Sequence, residues 1–276
     1  PETGILDVSG SVTVLEKGTT LQNMKIKGDL IIAKSVGDGN VTLKNVTVSG
    51  ETKVYGGGPN SIIVIDSSLG TVTVSKEDGK IRIVIFGNTS VKEVIANSGV
   101  KLEERDLNKN AEGFKEVVLD ASKDDVIVLV GSFEKVNVQA EGIEIQVPKG
   151  TTLNNLVLNE KAKITGTGTI NNADVNASGV SFETAPKTTN VADGVGKPTV
   201  GSATPAAGGG GGGGGSSHSS VPVSAISVTA GAVTIDTDNG TLQMTANVEP
   251  SNASNKSVTW TVTEVDGSAT DKATIS

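Results

Sequence analysis

The sequence predicts an all-β chain in three parts: a right-handed parallel β-solenoid over residues 1–183, a flexible linker over 184–222, and an antiparallel sandwich over 223–276. Three observations predict it. A short phrase with fixed apolar spacing returns through the first part, a run of eight glycines (208–215) follows, and alternation with a period of two resumes after it.

The phrase reads LQNMKI at Leu21, LKNVTV at Leu43, LGTVTV at Leu69 and VKEVIA at Val91. It continues as FKEVVL at Phe114, FEKVNV at Phe133, LNNLVL at Leu153 and INNADV at Ile170. Successive starts lie 22, 26, 22, 23, 19, 20 and 17 residues apart. In each copy the apolar residues take the first, fourth and sixth places, and the last two alternate as on a strand with one buried face. Further short apolar runs such as DLIIA, SIIVID, KIRIVIFG and DVIVLVG lie between copies, bounded by Gly, Asn, Asp and Ser. A unit of about twenty residues with two or three short strands cannot bury a core alone, but coils stacked about 4.8 Å apart can. Eight to nine coils are expected. Unequal spacing is accommodated by turns that bulge outward, YGGGPN (55–60) among them.

The third place of the phrase holds Asn23, Asn45, Asn155 and Asn172. A recurrent turn Asn adopts left-handed geometry readily, and its amide is suited to bond the Asn of the next coil, so a structural ladder is expected there. Thr71, Glu93, Glu116 and Lys135 occupy the place in the middle copies, so those coils are expected to turn differently.

From Glu183 the apolar period is lost, and Gly, Ser, Thr and Pro dominate. About 39 residues of such composition separate their ends by roughly 35 Å on average, so the flanking parts are expected to move independently. Beyond the linker, alternation at Ile226/Val228, at Leu242/Met244/Ala246/Val248 and at Val258/Trp260/Val262 predicts antiparallel strands about ten residues apart. Trp260, the only tryptophan, stands where an immunoglobulin-like sandwich keeps its core Trp.

The segment LQMTANVEPSNASNKSVTWTVT (242–263) resembles the bacterial immunoglobulin-like group 2 (BIG2) family: an apolar strand, a Pro-Ser-Asn-Ala turn, Asn-Lys, then Val-Thr-Trp. The resemblance extends over 223–276 and implies an Ig-like module that stops at ATIS, short of the last strand. The repeat region, closing on INNADVNASGVSFE, is similar to repeat regions of Gram-positive surface proteins that carry such modules and often S-layer-homology anchors. That likeness implies an extracellular, cell-surface setting.

Composition sets further bounds. Aromatics are only 2%, so the core is aliphatic and a large apolar ligand pocket is not expected. A net charge of -8 supplies no Lys/Arg cluster for phosphates, which argues against nucleic acid. No apolar run of 18 residues occurs, so no membrane insertion is expected. The absence of cysteine removes thiol chemistry, thiolate zinc sites and disulfides.

Candidate chemistry is sparse. His218 lies inside SSHSS beside the glycine run, where nothing would fix it as a base or ligand. Asp120, Asp124 and Asp125 around Lys123 form the densest acidic group, read as turn carboxylates with Ca²⁺ as the alternative. Parallel β-helices include polysaccharide lyases that use a Lys or Arg base, and the only arginines are Arg82 and Arg105. Glu103, Glu104, Arg105 and Asp106 are expected in an exposed loop. YGGGPN lacks the Lys-Ser/Thr of a phosphate loop. These readings predict a non-catalytic structural or adhesive segment without cofactor, whose partners are other domains of a longer protein and cell-wall components or extracellular polysaccharide. A carbohydrate-binding solenoid is the first alternative, and a polysaccharide lyase or hydrolase the second.

Overall fold

The computed structural model describes residues 4–77, 80–201, 225–230 and 241–249, with Lys256, Val258, Trp260 and Val262. The chain divides into two compact units, Pro1–Pro205 and Ala206–Ser276.

The first unit is a parallel β-solenoid in which each strand between the end coils pairs with the coil below and the coil above. One inward column runs through it: Val14, Ile32, Val54, Val74, Ala96, Leu119, Val138, Leu158, Val175 and Val191. Ten coils are counted along that column, and every member but Val191 is buried. Aliphatic residues stacked in register give a close-packed core without aromatic bulk. Phe114, Phe133 and Phe182 are the aromatic exceptions, the first two stacked with centroids 5.8 Å apart.

Coiling continues past residue 183. Thr188–Val191 pairs with Thr169–Val175, and Thr199–Val200 with Ser181–Phe182. The part expected to be linker therefore begins as a further coil. It is exposed and polar, pairs on one side among the described residues, and its Asn190 amide bonds Asn172 and Asp174 instead of filling a core.

The repeated phrase serves two different corners. In its first two copies Leu21 and Leu43 lie on one face, in register with Val64 and Ile85, while Ile26 and Val48 lie on the next, in register with Leu69 and Val91. Thus the phrase of the remaining copies, from Leu69 onward, starts one face later. Both corners place apolar residues at spacings of three and then two, because each must break the in-out alternation once as the chain turns.

At the first corner the break is made by left-handed residues: Asn23 (φ 53°), Asn45 (φ 52°), Asp66 (φ 49°) and Gly87 (φ 63°). Asn45 Nδ2 donates to Asn23 Oδ1 at 2.8 Å, and Asp66 Oδ1 accepts from the Asn88 amide at 2.9 Å. Gly87 is required twice over, since a Cβ there would also lie 2.2 Å from Asp66 Oδ1.

Asn155 and Asn172 belong to the second corner, in one register row with Thr71, Glu93, Glu116 and Lys135. None of these six has positive φ. Asn155 donates to the Glu134 carbonyl at 3.2 Å and Asn172 to Asp174 at 3.4 Å, so the expected rung between them is not made. The preceding place makes it instead, Asn171 to Asn154 at 2.8 Å.

YGGGPN does not bulge. Gly56, Gly57 and Gly58 are buried, and Gly57 donates to the Gly37 carbonyl at 2.7 Å. A side chain at Gly56 would meet the Ala33 carbonyl oxygen at 2.2 Å, so the glycines let this turn close against the coil below.

In the second unit Ala225–Ala230 pairs antiparallel with Met244–Glu249, Ile226 opposite Val248. Trp260 is half-buried and belongs to neither strand, and most residues around it lie outside the described ones, so its expected place in a sandwich core is not displayed.

Two substitutions test this packing. Thr52 stands in an inward row between Leu30 and Val72, 1% exposed, and its hydroxyl has no partner. Thr52→Val is expected to stabilise by about 1 kcal/mol, because it removes an unsatisfied buried hydroxyl at constant shape. A lower thermal midpoint would contradict that. Gly87→Ala is expected to cost more than about 1 kcal/mol, read as a lowered urea midpoint.

Candidate functional site

Many outward polar side chains of the described residues bond along the stack. Amide rungs join Asn97 to Ser75 (3.0 Å), Asn108 to Asn88 (2.8 Å) and Asn176 to Asn159 (2.9 Å). Ion pairs join Lys53 to Asp29 (2.8 Å), Lys135 to Glu116 (2.9 Å) and Lys163 to Glu144 (2.9 Å). The Lys53 hydrogen bond holds the Asp29 carboxyl below its ordinary value. Gln146 and then Lys163 do the same for Glu144.

The three aspartates do not converge. Asp120 and Asp124 are exposed, Asp124 at the apex of a tight turn (φ 70°). Asp125 turns back to accept from the Ser122 amide at 2.9 Å. Among the described residues no group of three acidic or histidine side chains is placed to hold a metal ion. His218 lies outside the described residues.

The charged run Glu103–Asp106 is not a loop but part of the strand Val100–Leu107. Glu103 is 4% exposed, covered by both arginines and a lysine: Arg82 at 2.9 Å, Lys101 at 2.8 Å and Arg105 at 3.1 Å. Burial alone would raise its carboxyl, but the hydrogen bonds from Arg82 and Lys101 overcome this and bring it down to about 2. With both arginines holding one structural carboxylate, neither is placed as a catalytic base.

Glu104 takes an inward register place opposite Ile85. Its carboxylate accepts from the Phe114 amide at 2.9 Å and the Ser132 amide at 2.8 Å, closing the corner around the inserted residues 105–112. Burial raises its pKa, and the two amides act against that. Alternation along the strand signalled Glu103 and Glu104 as opposite-facing, but the density of charge masked it.

The corner that follows Ile32, Val54, Val74, Ala96 and Leu119 holds a half-open groove of about 730 Å³. Lys34, Tyr55, Lys76, Asn97, Ser122 and Asp125 line it, so it crosses several successive coils. Its cations are engaged: Lys34 with Glu77 at 2.5 Å, and Lys76, 6% exposed, with Asp38 at 2.6 Å. The Lys76 amide donates to Ser98 Oγ at 3.1 Å. The Tyr55 backbone is held by its N–H, which donates to the Ile32 carbonyl (2.9 Å), and by the buried glycines that follow. Sequence reasoning overlooked the groove because its residues are far apart and fall in turns of different length.

No protein-family model matches the chain, and no curated protein matches it. Among solved structures the chain is similar to chitinase ChiW from Paenibacillus sp. strain FPU-7, described as bacterial cell-surface-expressed multi-modular enzyme machinery. Identity is 26% and the TM-score 0.41, over 67% of this chain and 20% of that one. The chain thus spans about a fifth of that protein's length. No helix among the described residues is long and apolar enough to cross a membrane.

The Glu103 cluster sets an acid limit. Its folded-state pKa lies below the ordinary 4.5, so its contribution is present above that value and fades as pH falls toward about 2. Glu103→Gln is expected to lower the urea midpoint at about pH 6 and to match the parent near pH 2. Equal midpoints at the higher pH would show that the cluster contributes nothing.

Proposed function

We propose that the chain is a non-catalytic structural segment of a bacterial cell surface, a stalk that spaces or displays neighbouring domains. The observation that carries this reading is the unbroken inward column of ten coils with polar rungs on the outside. Nine steps at about 4.8 Å give a rod of roughly 43 Å. Chemistry on such a rod would need convergent side chains with open coordination or shifted proton affinity. The strongly shifted carboxyl here, Glu103, is enclosed by its own cations.

The resemblance of residues 242–263 to BIG2 supports the extracellular setting, and a chain without cysteine is consistent with a Gram-positive surface. Its partners on this reading are the other domains of a longer protein, an S-layer-type anchor among them, and cell-wall components in an adhesive role. It uses no cofactor.

A spacer tolerates loss of one whole repeat, and a catalyst built across coils does not. Leu153 pairs with Ile170 and Thr152 with Thr169, so deleting residues 153–169 rejoins the chain in register. In the deletion variant of the full chain the first unit is expected to unfold cooperatively and its solenoid to be shorter by about 4.8 Å, read by electron microscopy. The parent is expected to release neither reducing ends nor unsaturated sugars from neutral or acidic polysaccharides. Turnover of any of these, or collapse of the variant, overturns the stalk reading.

A further inference from the structure

We infer that the groove beside Tyr55 is a binding site for an extended, neutral polysaccharide chain. The inference goes beyond the stalk reading and stands or falls separately from it.

The groove is concave and preorganised, which favours a ligand over bulk water. Tyr55 sits on a turn locked by three buried glycines, so its backbone is fixed and only its two side-chain torsions remain to be ordered on binding. A pyranose ring presents an apolar C–H face that packs on such a ring, and its equatorial hydroxyls need donors and acceptors around the edge. Ser75, Asn97, Ser98 and Ser122 supply both, and the Asn97–Ser75 bond (3.0 Å) and the Lys76–Ser98 bond (3.1 Å) hold them in place.

Charge selects the ligand class. Lys34 and Lys76 are each neutralised within 2.6 Å by Glu77 and Asp38, and Asp125 adds a negative charge. No excess of cation faces the groove, so a uronate or phosphate polymer gains nothing there, whereas a neutral glycan loses nothing. Geometry selects a chain rather than a single sugar. The lining residues come from the turn after Ile32 and from four later coils, which at about 4.8 Å per coil extends the floor over roughly 20 Å. The rise of a coil is close to the length of one sugar in an extended β-1,4 chain, so successive rings would each lie over a successive coil.

The chain has one tyrosine, so tyrosine-labelled protein gives a single set of ring signals. The full chain would be titrated with cellohexaose, chitohexaose and hexagalacturonate. The expected result is saturable movement of the Tyr55 signals with one or both neutral sugars, and none with the acidic one. By calorimetry Tyr55→Ala is expected to weaken binding at least about tenfold, a difference of about 1.4 kcal/mol, while Tyr55→Phe retains it and Lys163→Ala, outside the groove, leaves it unchanged. Asn97→Ala serves as a second groove variant should Tyr55→Ala not fold. No movement at millimolar sugar, preference for hexagalacturonate, or binding indifferent to the groove variants would each overturn the assignment.

Discussion

Every coil between the two end coils is held by backbone hydrogen bonds to the coils on either side, and this pairing persists only while inward residues stay in register. A one-residue slip would turn a whole strand inside out. The column from Val14 to Val191 is the visible form of that constraint. Nearly everything else in the first unit follows from it: where left-handed residues are needed, which polar groups are buried, and where extra residues fit. The corners bear most of the demand, because the chain must change direction there without losing a pairing partner. Ser67 and Thr89 show how this is met inside the core. Ser67 Oγ accepts from the Val46 amide at 3.0 Å, and Thr89 Oγ1 donates to the Phe86 carbonyl at 2.6 Å. Small hydroxyls thus pair backbone groups that a corner leaves without a strand partner.

Much of this was legible in the sequence. Parallel coils follow from apolar residues at the first, fourth and sixth places, recurring at a length too short for a self-contained core. Register was less legible, because the same phrase satisfies either of two corners. Asn45 and Asn155 look equivalent as text, yet only Asn45 is left-handed. The distinguishing signal was present in the neighbouring column: Asp66 and Gly87 follow Asn45 at near-constant spacing, and both types favour positive φ. The last coil was illegible for a different reason. At the end of a stack one side has no neighbour, so polar residues such as Thr188 and Asn190 suffice, and composition alone resembles a linker.

The charged residues carry a related lesson. Glu103 and Glu104 are adjacent in sequence and opposite in environment. Glu103 faces outward under three cations and is held ionised, while Glu104 faces inward onto two backbone amides and is pushed toward its neutral form. As pH rises through the folded pKa of Glu104 the buried charge costs stability, the reverse of the Glu103 trend. Charge density in a sequence therefore does not distinguish an exposed loop from a strand whose two faces each use a carboxylate structurally.

The same economy separates scaffold from site. Rows of Asn and Lys repeated coil after coil invite a binding interpretation, but a regular row can satisfy itself. Lys163 and Glu144, or Asn176 and Asn159, are each other's ligands. A departure from regularity is therefore more informative than the repeat. The turn corner is where coil lengths differ, where the only tyrosine sits, and where side chains from successive coils line open space as well as pairing with one another. Ligand recognition on a solenoid is favoured at such a place, because there polar groups face a cavity while the backbone beneath them stays fixed.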